Sequence, residues 1–147
     1  MNLSYTIERP SLHELLQFLY ESSKEFDTPL EQKLDIPQYA QKLYENSSFI
    51  ICRDNVHIVG MICCYTNRPP IGYISNVCVL STHQEKGIFK QCFNLLIDYC
   101  KSAGIEEIHL EVNNQNHNAY NIYRHIGFQN DTYGVASTYM KKLIQQE

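Results

Sequence analysis

Two stretches of the chain combine residue types and spacings that could do chemistry. The first, Val79-Leu80-Ser81-Thr82-His83-Gln84-Glu85-Lys86-Gly87-Ile88-Phe89, leaves an apolar run, crosses a polar turn holding a glycine and enters a helical pattern. Backbone N–H groups at a helix N-terminus are unpaired and lie at the positive end of the helix dipole. Such a turn can hold a phosphate or pyrophosphate without any basic side chain. The second stretch is Glu111-Val112 followed by Asn116, Ala119, Tyr123, Gly127 and Phe128. Asn116 falls where a helix N-cap is expected, and Ala119 and Tyr123, four apart, share one helix face. Tyr123 then projects back towards the helix start, near the strand that carries Glu111.

The elements that must position these residues follow from periodicity. Residues 3–7 alternate as a short strand. Leu12, Leu15, Leu16 and Leu19 recur at helical spacing behind a Ser11/Glu14 capping box, and Ile36, Tyr39, Ala40 and Leu43 do so behind Asp35. The stretches 49–53 and 56–65, separated by Asp54 and Asn55, read as a hairpin, and 73–80 reads as a central strand. The longest helix is expected over 84–100, closed by Ala103 and Gly104. A strand over 108–113, a short helix over 116–126 and two strands within 128–143 complete the pattern. Strand alternation sets His109, Glu111 and Asn113 on one side of their strand and Ile108, Leu110 and Val112 on the other.

Composition narrows the functions open to such a chain. Its 147 residues suit one domain, 1–147, and 44% apolar against 19% charged residues suit a full core rather than disorder. The net charge of −4, with 12 basic residues scattered among 16 acidic ones, disfavours nucleic acid as a partner. No apolar run approaches the roughly 20 residues of a membrane span, and the first ten residues have no secretion pattern; a soluble cytoplasmic protein is expected. Six cysteines (Cys52, Cys63, Cys64, Cys78, Cys92, Cys100) sit inside apolar runs with no CxxC pair, which suits buried reduced thiols. The sequons at Asn2, Asn46 and Asn130 have no weight without a secretion signal.

Together the two stretches resemble the Gcn5-related N-acetyltransferase (GNAT) family. The family's acyl-CoA signature, Val-x-x-x-x-[Gln/Arg]-x-x-Gly-x-[Gly/Ala], appears as Val79, Gln84 and Gly87, with Phe89 at the last position where the family has Gly or Ala. Its later signature is matched without a gap by Glu111, Val112, Asn116, Ala119, Tyr123, Gly127 and Phe128. The resemblance implies an α/β (α+β) fold: a mixed central sheet of six to seven strands, splayed in the middle and flanked by about four helices. It implies acetyl-CoA as acyl donor, lying in the splay with its pyrophosphate over residues 84–89. By the same resemblance Tyr123 is the general acid and Glu111 the candidate base. The donor's pantetheine arm would pair with the backbone of Val77, Cys78 and Val79, and would meet Asn116, Ala119 and Tyr123. The diphosphate would meet Gln84, Glu85, Lys86, Gly87, Ile88 and Phe89. The expected activity is transfer of an acetyl group to a primary amine by direct attack.

Other readings are weaker. His13-Glu14 begins like a zinc-protease motif, but Gln17 stands where the second histidine is required, so no metal site is expected. Cys78 with His83 or His109 could form a thiol-hydrolase set, yet a cysteine between Val77 and Val79 in a strand is usually a core residue with a raised pKa. A non-catalytic acyl-CoA-binding or sensor module is the alternative that Phe89 motivates, and retention of both Glu111 and Tyr123 argues against it. The acceptor, a small-molecule or peptide amine, is not fixed by the sequence; Glu21, Glu25, Asp27 and Asp131 are the acids that could meet an ammonium. A possible homodimer is likewise left open.

Overall fold

In the structure, a computed structural model describing residues 1–26 and 29–145, local signals and long-range pairing agree on one seven-stranded sheet. The elements are β1 (Leu3–Ile7), α1 (Leu12–Ser22), a 3-10 turn (Ser23–Glu25), α2 (Leu30–Lys33), α3 (Ile36–Asn46), β2 (Ser48–Asp54), β3 (His57–Tyr65) and β4 (Ile71–Val79). A second 3-10 turn (Ser81–His83) precedes α4 (Ile88–Ser102), β5 (Glu107–Asn113), α5 (His117–His125), β6 (Gln129–Tyr133) and β7 (Ser137–Leu143). The strand order is β1-β2-β3-β4-β5-β7-β6, antiparallel except for the β4–β5 pair.

Caps start the first helices where local chemistry requires. The Ser11 side chain accepts from the Glu14 N–H at 3.1 Å while Glu14 Oε1 accepts from the Ser11 N–H at 3.1 Å, and Asp35 Oδ1 accepts from the Gln38 N–H at 3.0 Å. β3 is buried at every position from Ile58 to Cys64, as only a strand covered on both faces can be. α4 packs on β1 to β4, and α1 and α3 pack on each other, with α1 also reaching β3. The close approach of α4 needs Gly60, where a Cβ would stand 2.8 Å from the Ile88 side chain. All six cysteines are free and buried.

Three details differ from the sequence reading. The longest helix begins at Ile88 rather than at residue 84, because Glu85 and Gly87 take positive φ values of 63° and 78° and break the helical path. In the first hairpin Asp54 pairs with His57, so the connecting residues are Asn55 and Val56, with Asn55 at φ 56°. Five α-helices are present among the described residues instead of about four, the extra one being the single turn of α2. The strand count falls at the upper end of the expected six to seven.

Candidate active site

The cleft arises where two strands part. β4 and β5 pair only through Ile71–Glu107, Gly72–Ile108 and Tyr73–His109. Beyond that β4 continues along β3 to Val79, and β5 continues along β7 to Asn113. The parting coincides with a bulge: the β3–β4 register skips Ser75, whose carbonyl accepts from the Tyr39 hydroxyl at 3.1 Å and whose Oγ donates to the Cys63 carbonyl at 3.4 Å. A bulge bends its strand and increases the local twist, which carries the end of β4 away from β5. The backbone of 75–79 thereby loses its β5 partner on one edge and is left to pair with an added extended chain.

The turn after β4 is fastened on two sides. The Gln84 Nε2 donates to the Val79 carbonyl at 3.0 Å. His83 Nε2 lies 2.8 Å from Asp54 Oδ2, and His83 Nδ1 lies 2.7 Å from Thr82 Oγ1. Hydrogen bonds from His83 and the Asn2 N–H hold the Asp54 carboxyl below the usual range. Gly87 caps α4 in the left-handed conformation with no side-chain cap, and a Cβ there would meet nothing within 4 Å. Among the described residues no side chain caps the first turn of α4, and such an uncapped N-terminus can hold an anion.

Tyr123 stands across from this turn on α5. Its ring meets Phe89 edge-on at 6.3 Å and Phe128 at 5.6 Å, and burial alone pushes its phenol up to about 12. Phe89 stacks on Phe93 at 5.9 Å and is partly buried in the aromatic layer. Asn116 caps α5, its Oδ1 accepting from the Ala119 N–H at 3.1 Å, and both Ala119 and Tyr123 pack against the core. Glu111 is exposed on β5 and accepts a hydrogen bond from the Ser137 hydroxyl; its alternation partners Ile108, Leu110 and Val112 are buried, as the sequence pattern implied. Burial and, next, the Glu111 charge raise the Tyr73 phenol, and Tyr139 stands opposite Glu111 on β7.

The matched family is decided over most of this chain: a model of the acetyltransferase (GNAT) family fits residues 10–128. The chain belongs to the GNAT family. Among solved structures it is similar to a GNAT-family acetyltransferase from Streptococcus pneumoniae at 20% identity, with 98% of this chain and 100% of that one covered and a TM-score of 0.78. It is also similar to the ribosomal-protein-S18-alanine N-acetyltransferase from Escherichia coli (16% identity, 99% and 96% covered, TM-score 0.78). A third is PaiA N-acetyltransferase from Thermoplasma acidophilum in complex with coenzyme A (16% identity, 95% and 99% covered, TM-score 0.74). No curated protein matches the sequence. As a GNAT acetyltransferase the chain moves an acetyl group from acetyl-CoA to an amine. Among the described residues no helix is long and apolar enough to cross a membrane.

The remaining sequence candidates of this GNAT chain separate by environment. The Cys78 thiol is buried, and burial, with the Glu25 charge adding, pushes it up to about 12. With His83 tied to Asp54 and Thr82, the thiol-hydrolase set is not assembled. Glu85 and Lys86 are exposed on the turn. Glu21 and Glu25 line a hollow of about 190 Å³ with Leu80, Ser81, Thr82 and His83, and each has one buried carboxylate oxygen without a partner among the described residues. Asp131 is 3.4 Å from Lys141 Nζ, and Asp27 lies outside the described residues. Among the described residues no three His, Cys, Asp or Glu side chains gather as metal ligands.

Sequence reasoning passed over Tyr39 and Asn76. Asn76 is 5% exposed on β4, its Nδ2 donates to the Tyr39 hydroxyl at 3.4 Å, and its Oδ1 has no partner among the described residues. An asparagine in the middle of the apolar run 73–80 was the available signal, since a buried amide needs a reason to be there.

Proposed function

We propose that Tyr123 is the general acid and Glu111 the base of this acetyltransferase, with the donor held by the open edge of Val77, Cys78 and Val79 and by the 84–89 turn. The observation that carries the reading is the parting of β4 from β5 directly beside a helix N-terminus that no side chain caps. Bound acetyl-CoA supplies an activated thioester. The β4 backbone N–H groups hold the donor arm and polarise its carbonyl, the role a preorganised donor plays in acyl transfer. Gln84, Glu85, Lys86, Gly87, Ile88 and Phe89 contribute main-chain donors to the diphosphate, and Asn116 and Ala119 border the arm. Glu111, reached by water and steadied by Ser137, takes the proton from the incoming amine.

A phenol held up near 12 keeps its proton at neutral pH, passes it to the sulfur as the C–S bond breaks, and is reprotonated from water once the free thiol has left. The acceptor is a primary amine, small molecule or peptide; Glu25, and Glu21 beside its His57 partner at 3.1 Å, are the acids of the hollow that could meet its ammonium, while Asp131 is held by Lys141. The chain works as one domain over 1–147, without nucleic acid and as a candidate homodimer. Six unpaired buried thiols suit a reducing compartment, for which the cytoplasm is our reading.

Calorimetric titration with acetyl-CoA tests the donor site, with micromolar binding expected. Turnover, followed by release of free CoA thiol with glucosamine, spermidine and an alanyl peptide, tests the acid: Tyr123→Phe should lower kcat by about 10²- to 10⁴-fold and leave donor affinity within about threefold. Equal kcat in parent and Tyr123→Phe would remove Tyr123 from the mechanism.

A further inference from the structure

The four rings Phe89, Phe93, Phe128 and Tyr123 close a circuit between α4 and α5. Phe89 stacks on Phe93 at 5.9 Å and 28°, and Phe93 meets Phe128 at 5.9 Å and 54°. Phe128 meets Tyr123 at 5.6 Å and 65°, and Tyr123 returns to Phe89 at 6.3 Å and 72°. Aromatic rings at such separations prefer stacked or edge-to-face arrangements over others, and the two contacts of Tyr123 are both edge-to-face, so Phe89 and Phe128 help to orient it. The Tyr123 hydroxyl has no hydrogen-bond partner among the described residues, and its surroundings act on it through burial alone. Ring packing is therefore what sets the phenol's direction.

One member of the circuit differs from the others in place. Phe89 is in the first turn of α4, the turn at which the diphosphate is proposed to bind. A small residue there would leave Tyr123 with Phe128 as its remaining aromatic neighbour and open one side of the phenol to water.

We propose that Phe89 is a positioning residue that fixes the Tyr123 ring and couples its placement to the 84–89 turn. The proposal rests on Tyr123 as the acid. It also explains how a bulky side chain is compatible with the diphosphate turn: its ring is used sideways, against Phe93 and Tyr123.

The test compares the parent with Phe89→Ala and Phe89→Leu, using tyrosine labelled with ¹³C at Cζ and the Tyr123 resonance assigned by its loss in Tyr123→Phe. In the unliganded parent that resonance should hold its protonated shift through about pH 11, as befits a buried phenol. In Phe89→Ala it should titrate by about one unit lower, with Phe89→Leu between. No charged group on α4, α5 or the segment after α5 contributes to Tyr123, so the shift reads burial alone. With the fastest of the three amines, Phe89→Ala should lower kcat about tenfold with KM for acetyl-CoA within about threefold, and Phe89→Leu should recover most of the loss. In a Tyr123→Phe background the added Phe89→Ala should cost no more than about twofold.

A resonance unmoved in both variants would overturn the proposal. So would an undiminished tenfold loss in the Tyr123→Phe background, or a rise in KM with kcat intact, which would make Phe89 a cofactor contact. Should Phe89→Ala fail to fold, Phe89→Leu carries the same comparison. If Tyr123→Phe keeps full activity, the acid assignment itself falls, and the titration shows separately whether Phe89 still orders the ring.

Discussion

The two helices that flank the cleft are built on different principles. α4 buries Ile88, Cys92, Phe93, Leu96 and Cys100 against the sheet, so the wall beneath the proposed donor site is the protein core itself. α5 has no fully buried residue along its nine positions. It is held by the Asn116 cap at its start, by the Phe128 N–H on the Tyr123 carbonyl at 2.9 Å, by Tyr120 donating to Asn130 at 2.9 Å, and by the aromatic circuit. A helix with few buried contacts opens at lower free energy than the global fold. The donor platform is thus rigid by construction, while the helix bearing the proposed acid rides on it through a handful of contacts.

The sharpest way to break that contrast is to remove equal bulk from each helix. Leu96 is fully buried, and Leu96→Ala should cost about 2–5 kcal/mol of stability, seen as a lower urea midpoint with an unchanged slope. Ile122, on α5, is 40% exposed, and Ile122→Ala should cost about 1 kcal/mol or less. Comparable losses in the two variants would mean that α5 belongs to the cooperative core after all.

How much of this was legible in the chain depends on the range of each interaction. Ser11, Asp35 and Asn116 cap helices through contacts three residues away, so sequence spacing was enough. The positions of Glu111 and Tyr123 followed from strand and helix period. By contrast the start of α4 was misplaced because residues 84–87 carry no periodic apolar signal, and their path is set by backbone angles at Glu85 and Gly87. Tyr39 with Ser75, Asp54 with His83 and Phe89 with Tyr123 join residues about 30 or more apart, and nothing in the local pattern announces them. These long-range pairs shape the cleft, which is why the residue types and their elements were readable before their mutual positions were.

A second, smaller perturbation addresses the rigid platform alone. Gly87 sits at φ 78° with open space where a side chain would begin, so Gly87→Ala introduces backbone strain and no clash. The strain is about 1–2 kcal/mol. Relaxing it would turn the first N–H groups of α4 away from their common focus, and acetyl-CoA affinity should fall about 5- to 30-fold by calorimetry, with the urea midpoint lower by roughly 0.5–1 M. Unchanged affinity would show that the turn binds the donor without this geometry.

The smallest expected effect lies at the fastening between the platform and the hairpin of β2 and β3. Asp54 has a folded-state pKa below its unfolded value of about 3.9, chiefly through the hydrogen bond from His83 and then through the Asn2 N–H. A carboxylate depressed in the folded state contributes stability that is present above the unfolded pKa and is lost as pH falls through the folded one. Asp54→Asn should therefore be less stable than the parent at pH 7, and the gap between the two should close as the pH is lowered below about 4 and approach zero once the folded carboxyl is protonated. Urea midpoints measured from pH 7 down to pH 2.5 read this directly. Because His83 anchors the turn that leads to Gly87, the same variant should raise KM for acetyl-CoA about two- to threefold at pH 7 with kcat unaltered. A stability gap of constant size across the whole pH range would mean that Asp54 acts through packing and not through its charge, and the turn would then owe its placement to Gln84 on Val79 and to the start of α4.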